Sequence, residues 1–190
     1  MDRKWLPLTI VLGAAGVAVV TASLWPDGEE KPPPPQSLCY GALSRETAEL
    51  IDDGEGGGAS AEEWERKGKG DYAVFKSCRV LRANKDSDYP RGVYGLVIAD
   101  TKGAPEQKKG SVPLGPGFTG WALPDQAEAT LPTGCAARMG STAPYITVTL
   151  SAPSQAEKKE LVDRDTAIRN STAVVREAAT RLAKHYGCEA

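Results

Sequence analysis

The chain has 190 residues, with 23 Lys and Arg against 25 Asp and Glu and a net charge of −2. No basic stripe interrupts that near balance, which excludes the electrostatic footprint of a nucleic-acid binder. Aromatic residues make up 6% of the chain beside 20 Gly and 14 Pro, which predicts a modest core with long loops.

The N-terminus reads "MDRK", then an uncharged run from Trp5 to Trp25. At about 1.5 Å per residue such a helix spans roughly 30 Å, the hydrocarbon thickness of a bilayer. Arg3 and Lys4 place the short side in the cytoplasm, and Trp5 and Trp25 fit the two interfaces. Residues 1–4 therefore read as a cytoplasmic n-region and 5–25 as a transmembrane signal anchor. The alternative is a secretory signal cleaved near Ala22, where the residues are small. No cysteine follows closely, so a bacterial lipoprotein signature is absent. Either way the rest of the chain is exported. Without Arg3, Lys4 and Asp2 it carries 21 basic and 24 acidic residues, a net charge of −3.

Residues 26–37 read as a proline-rich linker, extended in polyproline II geometry. The extracytoplasmic domain then covers 38–190. A helix is expected from Ser44, a capping residue, up to Gly54. The glycine-rich "DDGEGGGAS" reads as a flexible loop. Its Asp52, Asp53 and Glu55 lack the alternation of a calcium loop, and no Gly-Lys-Ser/Thr follows its glycines, so neither a metal nor a phosphate site is expected there. "SAEEWERKG" (60–68) reads as a short helix with Ser60 and Glu63 as a capping box. Residues 72–81 and 92–100 read as two strands of a hairpin.

Residues 101–126 read as a long loop. Its Leu114, Phe118 and Trp121 predict that part of it folds back onto the core, and they form a candidate ligand or partner contact. Residues 128–139 and 144–152 read as two more strands. In the second, Ile146, Val148 and Leu150 share one face. Ser154 and Glu157 form a capping box, and apolar residues recur every seven positions from Leu161 through Ile168, Val175 and Leu182. A long amphipathic helix to Tyr186 follows, stopped by Gly187 and packed on the sheet rather than paired in a coiled coil.

The four cysteines Cys39, Cys78, Cys135 and Cys188 all lie in the exported part. None are close enough in sequence for zinc, so they predict two disulfides. Of three connectivities, Cys39–Cys78 with Cys135–Cys188 is favoured because each ties a helix end to a nearby strand.

Chemistry is sparse. The single histidine, His185, reads as a helix-end cation. No nucleophile elbow supplies it with a serine, and oxidised cysteines are poor nucleophiles. The sequon Asn170–Thr172 falls mid-helix, and Asp163 and Asp165 suit a helix start. No catalytic residue, metal ligand or cofactor is assigned.

The order "LCYGAL", "SCRV", "VPLGPGFTGWA", "LPTGCAA" and "AATRLAKHYGC" resembles small anchored or secreted actinobacterial proteins of unknown function, over residues 37–190. Cys39, Cys78, Cys135 and Cys188 fall on the cysteine positions of that pattern. The resemblance brings no catalytic residues. The expectation is an α+β domain: an antiparallel sheet packed by a long C-terminal helix and a short N-terminal one, with two disulfides. Its expected role is non-enzymatic, an interaction module for another envelope protein. A carrier or sensor of a small or lipidic ligand is the alternative, and an envelope hydrolase centred on His185 the third class. The oligomeric state is left open.

Overall fold

The computed structural model describes residues 36–103, 106–153 and 162–189, all within one compact unit, Pro34–Ala190. The predicted membrane segment, most of the proline linker and the Ser154–Glu157 capping box lie outside the described residues. Among those described, no helix is long and apolar enough to cross a membrane.

The chain enters through a small hairpin, β1 (Ser37–Leu38) and β2 (Leu43–Ser44). Its turn holds Cys39 and Tyr40 in the left-handed region at φ 56 and 59. Ser44 then caps a one-turn helix, α1 (Arg45–Ala48), by accepting from the Thr47 amide. The helix is shorter than expected. Its exit carbonyls at Glu49 and Ile51 are taken by the guanidinium of buried Arg82 rather than by a further turn. Arg82 also donates to the Gly57 carbonyl, and Arg91 holds Asp53 through Nε at 2.6 Å and a second nitrogen at 2.9 Å. Two arginines therefore pin the glycine-rich loop that composition alone marks as flexible.

A seven-stranded antiparallel sheet follows, in the order β3-β4-β5-β9-β8-β7-β6. Its strands are β3 (Ala59–Lys67), β4 (Val74–Arg82), β5 (Arg91–Thr101), β6 (Val112–Pro113), β7 (Thr119–Ala122), β8 (Gln126–Thr130) and β9 (Tyr145–Ser151). The 72–81 and 92–100 hairpin is present as β4–β5. Three expectations are corrected. The stretch 60–68 is not a helix: Ser60 to Lys67 form the body of edge strand β3, because full pairing with β4 outweighs the local helix signals. The 101–126 loop contributes β6 and β7 to the sheet. The 128–139 strand stops at Thr130, and Cys135–Arg138 forms a helical turn, α2, after Pro132 and Gly134 break the extension.

The long helix, α3, covers Arg164–Tyr186. Its N-cap, Asp163, lies nine residues after the Ser154 cap that the sequence suggests. Asp163 is in extended conformation and caps it by accepting from the Thr166 amide at 3.0 Å. Gly187, at φ 63, ends it, and the Cys188 amide reaches back to the Ala183 carbonyl at 2.9 Å. The helix lies on one face of the sheet. There Val80, Leu96, Ile98, Ile146, Val148 and Leu150 meet Val174, Val175, Ala178, Ala179 and Leu182 in the core. Both favoured disulfides form, Cys39–Cys78 and Cys135–Cys188, each with Cα atoms 5.2 Å apart.

Candidate functional site

A groove of about 970 Å³ opens where β7 begins, β8 stops and β9 starts, beside the C-terminal half of α3. The physical cause is residue size. Ala179, Thr180 and Ala183 are the helix residues that face it, and none is bulky enough to fill the space between α3 and the strand ends. Pro132 and Pro144 stiffen the two chain segments leaving β8 and entering β9. Phe118, Leu131 and Tyr145 complete the apolar walls.

The polar groups of the groove are hydroxyls and one carboxylate. Thr119, Thr130, Thr133 and Thr180 line it, with Glu189 at the C-terminal side. The Thr130 hydroxyl is buried without a hydrogen-bond partner. Thr180 is exposed, and its hydroxyl donates back to the Arg176 carbonyl at 2.8 Å. Among the described residues no Lys or Arg lines the groove. Arg176 lies next to it but is already engaged. Its guanidinium stacks 4.5 Å from the Phe118 ring centre, and one nitrogen donates to the Leu114 carbonyl.

The three residues singled out in the loop are therefore separated. Phe118 is half-buried and lines the groove. Leu114 is buried in the core behind it, next to Gly120. Trp121 points to the opposite face of the sheet, because it shares a rung with Glu128 and Thr149 rather than with the helix-facing residues. It too is buried, with its indole N–H unpartnered and the Lys108 ammonium 4.7 Å from its ring centre. Most of the groove was not singled out from the sequence. The available signals were the prolines flanking strand ends and the row of small residues on α3.

The remaining candidates sit elsewhere. His185 is exposed on the last turn of α3 and meets Tyr186 edge-on, ring centres 4.8 Å apart. All four cysteines are disulfide-bonded. Asn170 donates to the Leu50 carbonyl, so the sequon side chain ties α3 to the segment after α1.

The sheet face away from α3 has a different character. Across its middle, register places Trp64, Ser77, Val97, Thr149, Glu128 and Trp121 in one rung. Burial pushes the Glu128 carboxyl up, partly offset by the Lys108 charge and a hydrogen bond from Thr149. At the far edge Trp64 is 57% exposed and touches Phe75 edge-on, with Arg66 over the same ring.

Compared with protein-family models, curated proteins and solved structures, the chain matches none.

Proposed function

We propose that the chain is a non-catalytic binding module held at the outer face of a cell membrane by residues 5–25, and that its groove receives an extended segment of another envelope protein. The carrying observation is the lining of the groove: apolar walls, a fringe of hydroxyls, and Glu189 as the charged group among its residues. That combination suits an apolar side chain next to a basic one on the partner. Among the described residues it offers no cation to an acidic lipid headgroup or a phosphate. Two disulfides fit an oxidising compartment outside the cytoplasm. The resemblance to anchored actinobacterial proteins agrees with that location.

The test is a crosslinked pull-down of the tagged full chain from intact cells of its source, with T180W in parallel. Thr180 is exposed, so tryptophan there fills the groove without entering the core. The expected result is a stoichiometric envelope protein that T180W loses while the melting temperature holds. Equal capture by T180W would remove the groove from the reading. No captured protein, with a lipid or metabolite extracted from the same sample, would replace a protein partner by a small ligand.

A further inference from the structure

The groove leaves the opposite edge of the sheet unused. Strand β3 ends the strand order, and among the described residues nothing pairs with its outer side. Edge strands usually carry devices that block further pairing, such as short length, proline, bulges or charged side chains. This strand carries charge but none of the other three. It is nine residues long, holds no proline, and pairs with β4 without a register shift from Ala59 to Lys67. It also exposes Trp64, while the smaller, paired positions of the same rung are half-buried.

Its charges are mixed in an order that matters. "AEEWERK", residues 61–67, places Glu62 two residues before Trp64 and Arg66 two residues after. All three point to the face away from α3, since side chains alternate along a strand. An antiparallel partner with the same sequence, centred on Trp64, would set Glu62 opposite Arg66 of the second copy, Arg66 opposite its Glu62, and the two tryptophans opposite each other. Opposite charges and aromatic pairs directly across a strand pair are both stabilising.

The other face carries Glu63 and Glu65, which this register sets against each other. Each is already engaged at home. Glu63 accepts the Tyr40 amide at 2.6 Å. Glu65 lies 3.5 Å from the Lys76 ammonium and 3.9 Å from that of Lys67. The Glu65 charge is therefore partly neutralised by two lysines before the strands meet, and the Glu63 carboxylate is held by the Tyr40 amide.

We propose that β3 is a self-association edge: two copies of this chain pair through antiparallel β3 strands centred on Trp64, joining two seven-stranded sheets into one. The pairing is isologous, so each contact occurs twice. None of the groove's lining residues belongs to β3 or β4, so both grooves stay available in the pair. The inference does not depend on what the groove binds.

The test is sedimentation of the full chain in detergent over a concentration series, with E62R, R66E, the double variant E62R/R66E, and W64T. The wild type is expected to form a reversible dimer. Each single reversal turns two attractive pairs into two repulsive ones and should weaken association by about tenfold or more. The double variant restores opposite signs across the pair and should recover most of that loss, and W64T should weaken it as well. A wild type that stays monomeric at every concentration overturns the proposal. So does a dimer that ignores the reversals, which would place the contact outside β3. Failure of the double variant to recover also overturns it, because the register is then wrong. Unchanged melting of each variant excludes misfolding as the cause of any loss.

Discussion

The two faces of the sheet obey different rules. Under α3 the central rungs are filled mainly by Val, Ile, Leu and Ala, with Cys78 among them, and Leu96, Val148 and Leu150 have no exposed surface. On the other face the same strands offer Ser77, Val97, Thr149, Glu128 and Gln126, most of them half-buried, between Trp64 at one end and Trp121 at the other. Both disulfides serve the first face. Cys78 sits on its β4 rung, and the Cys135–Cys188 link closes the end of α3. The covered face therefore carries the stability of the domain. Less of the packing rests on the other face and its edge, where Trp64 is 57% exposed.

The largest effect should come from the covered side's crosslinks. Replacing Cys39 and Cys78 together by Ala removes a loop constraint between residues 39 apart, about 4 kcal/mol in the chain-entropy model. Thermal unfolding under oxidising conditions measures it, and a loss below about 1 kcal/mol would mean that the N-terminal hairpin is held by packing alone. Next is a pair of neighbours in one strand. L150A empties a fully buried site and should cost about 3 kcal/mol. T149A, one residue away on the open face, should cost less than about 1 kcal/mol. Equal losses would show that the open face is packed in solution by something that the register does not reveal.

The same contrast decides what the sequence could disclose. The covered face is written in strict alternation, so β4, β5 and β9 were legible, as was the apolar stripe of α3. The cysteines were legible because their positions beside helix ends and strands favour one pairing. Strand β3 was not. Its residues from Glu62 to Lys67 are exposed on both faces, so no apolar alternation marks them, while Ser60 and Glu63 mimic a helix start. Only pairing with β4, a non-local contact, makes it a strand. Strands β6 and β7 hide for another reason: they are short, and Gly120 sits where a Cβ would lie 1.9 Å from the Glu128 carbonyl oxygen. A glycine that reads as loop punctuation is there to let two strands approach. The groove was legible only through Phe118, because a cavity is made by what small residues leave empty, and Ala179 and Ala183 also read as ordinary core.

A smaller effect tests how α3 is fastened to the N-terminal hairpin. Glu177 accepts from the Ser44 amide at 2.9 Å and its hydroxyl at 3.1 Å, and Arg181 lies 2.6 Å away. Burial pushes its carboxyl up, but the hydrogen bonds from Thr47 and Ser44 and the Arg181 charge outweigh that and hold it below the usual glutamate value. A depressed carboxyl binds its proton less readily in the folded state. Its stabilisation is therefore complete above the ordinary value of 4.5 and is lost as pH falls through the lower folded value. E177Q should cost about 1 kcal/mol at pH 7, and the gap between variant and wild type should narrow steadily as pH falls below 4.5. A gap that does not change with pH would assign the effect to packing rather than to charge.

The smallest expected effect is the most informative about the open face. Trp64 is a large apolar side chain with more than half of its surface in water, and among the described residues its ring meets that of Phe75 edge-on at 5.5 Å. Threonine keeps the strand preference of the position and removes that ring contact. W64T should therefore shift the stability of the isolated chain by about 0.5 kcal/mol or less, read from chemical unfolding at a concentration too low for self-association. A loss several times larger would mean that Trp64 belongs to the core of its own chain, and the reason to look for a second copy at β3 would weaken. A small loss, in a variant that also fails to associate, would place the value of this tryptophan between molecules rather than within one. Stability and association then separate along the line that divides the two faces of the sheet.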